Sequence, residues 1–125
     1  MEKTHFESTS EVIGSIPVLH MFGEVDIYSA PMFKAAITEV IAQGFVHIVL
    51  DMKDIAFMDS SGFGALLSAS KPLRQLNGSL YLAACNDAIT RMLMITRLNT
   101  IIPLHVTQQE AIERVMAIQA QSAIA

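Results

Sequence analysis

The stretch Phe57-Met58-Asp59-Ser60-Ser61-Gly62-Phe63-Gly64 shows how the chain is organised. It follows the apolar run from Phe45 to Leu50, which is rich in β-branched residues, as buried central strands are. It precedes a helical pattern from about Ser60 to Leu76. Small polar residues are favoured as helix N-caps, so Asp59 or Ser60 is expected to cap this helix. The stretch therefore predicts a strand, a loop from Lys53 to Met58, and then a helix.

Two small hydroxyl groups stand at this predicted helix start. Ser60 and Ser61 would meet backbone N–H groups that have no partner within the helix and the positive end of the helix dipole. Gly62 and Gly64 keep side-chain bulk away from the same place. These features suit a phosphate group, whether bound or covalently attached. The spacing is not that of a nucleophile elbow, and it lacks the lysine of a Walker sequence.

Strand-like and helix-like segments alternate along the rest of the chain. The order β-β-α-β-α-β-α-β-α predicts an α/β fold with right-handed crossovers, helices packed on the sheet and an N-terminal hairpin at its edge. Pro72 falls inside the second helix and is expected to kink it or end it early. The other predicted segments are a strand near Thr4 to Ser8, a strand from Val18 to Phe22, a helix from Ser29 (N-cap) to Gly44, a strand from Ser79 to Ala84, a helix capped by Asn86, an edge strand from Ile101 to Val106 containing Pro103, and a last helix capped by Thr107.

Length and composition restrict the class of protein. The 125 residues are 52% hydrophobic and 16% charged, which excludes disorder. They predict one domain over 1–125, with a core of about 4–117 and a frayed tail over 118–125. The net charge of −4, without a basic cluster, argues against nucleic-acid binding. We expect a cytoplasmic protein, because no signal peptide or membrane span is evident and Cys85 is the single cysteine.

Catalysis is not expected from the titratable residues. His5, His20, His47 and His105 are scattered, and no two stand at metal-ligand spacing. We therefore predict no metal, no cofactor and no enzymatic activity. A hydrolase would require a histidine beside Ser60.

The motif from Met58 to Gly64 resembles the phosphorylation motif of bacterial anti-anti-sigma factors, which are stand-alone STAS domains. The surrounding sequence resembles the same family in order, over roughly Val18 to Val115. Phe63 stands where the family often has Leu, which is expected to reshape the surface that faces the partner. The other matching segments are Gly23-Glu24-Val25-Asp26, Ser29-Ala30-Pro31, Ile48-Val49-Leu50-Asp51, Arg91 to Leu98 and Ile101-Ile102.

The resemblance implies a single STAS domain with a mixed, mostly parallel sheet and about four helices. It implies phosphorylation of Ser60, surrounded by Asp26, Asp59, Ser61, Gly62, Phe63 and Gly64. The unphosphorylated protein, expected to be a monomer, would bind an anti-sigma factor that is also a serine kinase. A PP2C-type phosphatase would restore the hydroxyl. The alternative is a STAS scaffold or a transporter-associated module without the switch.

Overall fold

The computed structural model describes residues 5–124, which form one five-stranded sheet and four α-helices. Part of the first predicted strand, Thr4, and the end of the predicted tail, Ala125, lie outside the described residues. The elements are, in chain order, β1 (Phe6–Ile13), β2 (Ile16–Val25), α1 (Ala30–Ala42), β3 (His47–Met58), α2 (Ser60–Gln75), β4 (Ser79–Ala83), α3 (Asp87–Ile95), a 3₁₀ turn (Leu98–Thr100), β5 (Leu104–His105) and α4 (Gln108–Ile124).

The strands lie in the sheet in sequence order, from β1 to β5. β1 pairs antiparallel with β2, and the remaining pairs are parallel. Gly14 has a φ of 65° in the tight turn between β1 and β2, a conformation that costs glycine little. The predicted mixed, mostly parallel sheet with an N-terminal hairpin is confirmed.

The two faces of the sheet are covered by different helices. Leu80 and Leu82 of β4 pack in one buried cluster with residues of α1, α2 and α3. Tyr81 and Ala83, which alternate with them, pack in a second cluster with residues of α4, among them Val115. Consecutive right-handed crossovers place α1, α2 and α3 on the same face. The carboxyl ends of the parallel strands and the N-termini of these three helices therefore meet at one edge of the sheet.

The predicted loop from Lys53 to Met58 is wrong, because β3 continues through it to Met58. The pairing with β2 persists to Val25 opposite Met58, across two irregularities in register. Ile55 and Met58 are buried in the core on this extension. The irregularities disturb the alternation of buried and exposed residues along this part of β3. A search for period-two alternation in the sequence therefore does not detect it as a strand.

Pro72 does not end α2 early, since the helix continues to Gln75. Proline removes one intrahelical hydrogen bond, the one to the carbonyl of Ser68. Both residues are exposed, so water can solvate that carbonyl. About one turn of helix follows Pro72, and the chain keeps its helical path to Gln75 despite the missing bond.

The last strand and the last helix differ from their predicted bounds. β5 is only Leu104–His105, because Ile102 turns into the core after the 3₁₀ turn. It is an edge strand, as predicted. Thr107 Oγ1 accepts from the Glu110 N–H at 3.1 Å, which confirms the predicted cap. α4 runs to Ile124, and its residue Ile118 packs against the sheet.

Candidate functional site

Asp59 is the N-cap of α2. Its backbone is extended, and its Oδ1 accepts from the N–H groups of Ser61 at 2.9 Å and Gly62 at 3.3 Å. Its own N–H donates to the carbonyl of Val25 at the end of β2, at 3.1 Å. Asp59 thus ties the start of α2 to the end of β2. Its carboxylate already occupies two of the first-turn donors that an anion would use.

The residues after Asp59 divide into two groups. Ser60, the first residue of α2, and Gly64, one turn later, are both exposed and share one side of the helix. Gly62 and Phe63 point inward, and Phe63 packs in the core with only 7% of its surface exposed. Because Phe63 is buried, it does not contact a partner directly, and the predicted reshaping of the partner-facing surface cannot come from such a contact. Ser60 presents a hydroxyl that another protein can reach.

Gly62 is required by packing. A Cβ at this position would lie 2.4 Å from Met58 Cγ, 2.9 Å from Val25 Cγ1 and 3.1 Å from the Val25 carbonyl oxygen. Val25 is fully buried and cannot move aside cheaply. At Gly64, by contrast, an added Cβ would meet nothing within 4 Å. The lack of a side chain at Gly62 lets α2 pack closely against β2 and β3, and the lack of one at Gly64 leaves the surface beside Ser60 flat.

Asp26 shapes the loop between β2 and α1. Its Oδ1 accepts from the N–H groups of Tyr28 at 2.9 Å and Ser29 at 3.0 Å. Ser29 occupies the N-cap position of α1, as predicted, but its hydroxyl caps no helix N–H and donates to the Glu24 carbonyl at 2.7 Å. Because Asp26 follows Val25, this loop lies next to the start of α2. The sequence-predicted site residues are therefore brought to one edge of the sheet.

Three large apolar side chains are exposed at this edge. Ile27 is 66% exposed and Tyr28 80% exposed on the β2–α1 loop, and Phe57 is 48% exposed at the end of β3. Exposed apolar side chains gathered around one site mark interaction surfaces. The sequence analysis does not select these residues as site residues. Two apolar residues in a turn directly after Asp26 are the signal that could have found Ile27 and Tyr28, because turns are usually polar.

The histidine rings have partners elsewhere. His20 is hydrogen-bonded to Asp51 at 3.1 Å and Glu11 at 2.5 Å, and His47 to the Tyr81 hydroxyl at 2.8 Å. Within residues 5–124, no histidine nitrogen is hydrogen-bonded to Ser60. In the described residues, therefore, no histidine is placed to activate Ser60 as a nucleophile.

Burial raises the pKa of the Cys85 thiol to about 12, which keeps it protonated. Among the described residues, no group of three or more His, Cys, Asp or Glu side chains is placed to hold a metal ion. No helix in this part of the chain is long and apolar enough to cross a membrane.

Comparisons with known proteins agree with this fold. Residues 7–111 match the STAS domain family model. An anti-sigma-B factor antagonist of Listeria monocytogenes is 34% identical over 82 residues, which are 66% of this chain and 72% of the relative. A crystal structure of an anti-sigma factor antagonist from Mycobacterium paratuberculosis has a TM-score of 0.82 and 25% identity, and covers 90% of this chain and 95% of its own. The structure of the Bacillus cell fate determinant SpoIIAA in its phosphorylated form has a TM-score of 0.67 and 28% identity, over 89% of this chain and 99% of its own. The chain therefore belongs to the STAS domain family, and within it is similar to the anti-sigma factor antagonists.

Proposed function

We propose that this protein is an anti-sigma factor antagonist whose binding is switched off by phosphorylation of Ser60. The observation that carries the proposal is the exposed Ser60 hydroxyl, directly after the Asp59 cap and at the same sheet edge as exposed apolar side chains. The similarity to proteins named anti-sigma factor antagonists supports it. A similar protein has been solved in a phosphorylated form, which supports the covalent switch.

The partner in this proposal is an anti-sigma factor that is also an ATP-dependent serine kinase. It covers Ile27, Tyr28 and Phe57 and reaches Ser60 in the same complex. Aromatic and large aliphatic anchors of this kind supply most of the binding energy at protein interfaces. A PP2C-type phosphatase then restores the hydroxyl. The protein itself acts by binding in the cytoplasm and catalyses nothing.

Phosphorylation changes binding through charge. A phosphate adds about −1.5 to −2 charges at neutral pH. The N–H groups of Ser61 and Gly62 are already bonded to the Asp59 carboxylate, so they are not free to neutralise it. The phosphate therefore stays hydrated beside another anion and must lose water when a partner docks. A loss of about 3 kcal/mol weakens binding more than a hundredfold.

The test is to incubate the protein with ATP and its kinase and to locate the phosphate by mass spectrometry. We expect one phosphate on Ser60 and release of the complex. Ser60→Ala should bind without accepting phosphate, and Ser60→Asp should bind at least tenfold more weakly. Ser61→Ala is the matched control, since Ser61 is half-buried and should leave phosphorylation intact.

Phosphate found on Ser61 in the Ser60→Ala variant would show that the acceptor is misassigned. Failure of any anti-sigma factor kinase to phosphorylate or bind the protein would remove the proposed switch. In that case the alternative of a STAS scaffold or transporter-associated module would account better for the fold.

A further inference from the structure

The outer edge of β1 is open to a further strand. β1 is the first strand of the sheet, and within residues 5–124 only β2 pairs with it. It is eight residues long and keeps one register against β2, without a bulge, a proline or a lysine. Short length, bulges, prolines and lysines are among the devices that keep edge strands from pairing with other chains. β1 therefore lacks the usual protection of an edge strand, whereas β5 at the other edge is only two residues long.

The backbone of β1 presents a regular row of hydrogen-bonding groups at this edge. The His5 carbonyl accepts from the Glu24 N–H at 2.9 Å, so the backbone of His5 is directed towards β2. In an antiparallel pair this direction alternates from one residue to the next. Ile13 pairs with Ile16 across the two-residue turn, which fits the same alternation. The residues whose N–H and C=O groups point away from β2 are therefore Phe6, Ser8, Ser10 and Val12.

A groove runs along this edge between β1 and α1. The rings of Phe6 and Phe33 pack edge to face with centroids 6.0 Å apart, which holds the helix beside the strand. Two depressions lie between them, and one extends to Met32, which is 54% exposed. The wall residues that both depressions share are Ser8, Ala36 and Glu39. An extended segment on β1 would therefore have room for its side chains next to α1.

Carboxylates flank the groove on both faces of the sheet. Glu39 is exposed on the α1 side. Glu7 and Glu11 are exposed on the opposite face, where Glu11 is hydrogen-bonded to His20 and Glu7 lies 3.5 Å from His5. In the described part of the chain, none of the three forms an ion pair with Lys or Arg. The charges therefore favour a segment that carries basic side chains.

A second copy of β1 fits this edge poorly. In the antiparallel pairing that overlaps two β1 strands from Phe6 to Val12, Thr9 of one copy lies opposite Thr9 of the other. Glu7 of each copy then lies directly opposite Glu11 of the other copy. Like charges in such cross-strand pairs are destabilising, whereas Lys or Arg opposite the same carboxylates is stabilising.

Ser8 and Ser10 determine how an added strand would be oriented. They face α1, as their paired residues Met21 and Leu19 on β2 do. Their outward backbone groups would exchange hydrogen bonds with the residues opposite them on an added antiparallel strand. Those opposite residues would direct their side chains into the depressions beside α1, because side chains paired across strands share a face of the sheet. The alternate residues of the added strand would face the side of Glu7.

We infer that the groove between β1 and α1 binds an extended basic segment of a protein partner, which pairs antiparallel with β1 as a sixth strand. Backbone hydrogen bonds to β1 hold such a segment, and the groove selects its side chains. Apolar side chains fill the depressions next to Met32 and Ala36, and Lys or Arg side chains meet Glu7 and Glu11. This binding does not depend on the proposed function of Ser60.

The probe is a synthetic nine-residue peptide of alternating Lys and Val that begins and ends with Lys. Hydrogen exchange followed by NMR reports which amides of the protein become protected when the peptide binds. The amides of Ser8, Ser10 and Val12 should exchange more slowly. Those of Thr9 and Glu11, which point towards β2, should not change. This alternation is expected of an added strand and not of a side-chain contact.

Ser10→Pro removes one outward N–H and should weaken binding of the peptide at least tenfold. An edge strand accepts a proline where its N–H faces solvent. Ser10→Ala keeps the N–H and is the control, expected to bind normally. The double variant Glu7→Gln and Glu39→Gln should bind several-fold more weakly, because it removes two of the flanking charges.

N-methylated peptides test the same contact without changing the protein. N-methylation of the Val residues removes the N–H groups that face β1 and should abolish binding. N-methylation of the Lys residues alters the solvent edge of the peptide and should leave binding within a few-fold. This comparison decides the question even where Ser10→Pro does not fold.

Several results would overturn the proposal. These are no binding of the basic peptide, equal binding of a peptide with Glu in place of Lys, full affinity after N-methylation of the Val residues, or protected amides outside β1. Concentration-dependent self-association of the protein alone, abolished by Ser10→Pro, would identify a second copy of the chain as the occupant instead.

Discussion

Gly62 and Gly64 stand two residues apart in α2 and meet different surroundings. A side chain at position 62 would collide with Met58 and Val25, whereas one at position 64 would meet open space. Packing thus explains the first glycine and leaves the second unexplained within the isolated protein. A glycine inside a helix costs about 1 kcal/mol relative to alanine. The close approach of a partner beside Ser60 would account for keeping it.

Gly64→Ala should therefore raise stability and weaken binding. We expect up to about 1 kcal/mol more stability from helix propensity. Affinity for the anti-sigma factor should fall about tenfold or more, because the new methyl group holds the partner away from the helix. Urea unfolding measures the first quantity and calorimetric titration the second.

Gly62→Ala is the matched control, with the opposite effect on stability. It should destabilise the protein by about 1–3 kcal/mol, as overpacking of a core does. A Gly64→Ala variant that binds with full affinity would leave Gly64 outside the interface. A variant destabilised like Gly62→Ala would show that position 64 is not open.

Asp26→Asn separates the charge of Asp26 from its role in the loop. The Asn side-chain oxygen can still accept from the N–H groups of Tyr28 and Ser29, so the loop should keep its shape. We expect the rate of Ser60 phosphorylation, or the affinity for the kinase, to fall several-fold, because in the proposed complex the kinase contacts the Asp26 carboxylate as well as the loop that it shapes. The assays are a phosphorylation time course and a binding titration. Unchanged rate and affinity would leave Asp26 as a turn residue only.

At the scale of elements, β3 shows why a sequence pattern predicts the presence of a strand more reliably than the length of that strand. The run from Phe45 to Leu50 predicts a buried strand, and β3 is present there. The extension of β3 to Met58 depends on its pairing with β2, and the sequence of β3 alone does not reveal that pairing. For α2, the predicted start at Ser60 is confirmed, because the Asp59 cap is a local feature of the sequence. The expectation that Pro72 ends the helix early is not met, since α2 continues to Gln75.

The contact between β3 and β4 beneath α4 should make stability depend on pH. His47 and the buried Tyr81 are hydrogen-bonded at 2.8 Å, and burial lowers the pKa of His47 from 6.5. The unfolded chain then takes up a proton more readily than the folded protein. The contribution of His47 is full above about pH 6.5 and falls as the pH drops through the lower folded pKa.

Urea midpoints measured between pH 7.5 and 5.5 test this dependence. Their decrease should be smaller in His47→Gln, whose amide can still hydrogen-bond the Tyr81 hydroxyl but does not titrate. His5→Gln is the control, because His5 is exposed at the start of the described chain. An identical decrease in the wild type and in His47→Gln would assign the pH dependence to other groups.

At the scale of the whole molecule, the sheet separates two sets of contacts. α1, α2 and α3 pack on one face and α4 on the other. The first face carries Ser60 at the N-terminus of α2, so a partner that reaches Ser60 docks at the end of the sheet where α1, α2 and α3 begin.

The sequence by itself determined the order of elements, the α/β class, the Asp59–Ser60 helix start and the resemblance to the STAS family. These features are written in neighbouring residues: caps, apolar runs and a contiguous motif. Only the tertiary structure decided that Phe63 is buried, that Ile27, Tyr28 and Phe57 are exposed at one edge of the sheet, and that β3 continues to Met58. Burial and exposure depend on which distant segments pack together, so residues adjacent in sequence can face opposite sides and distant ones can share a surface.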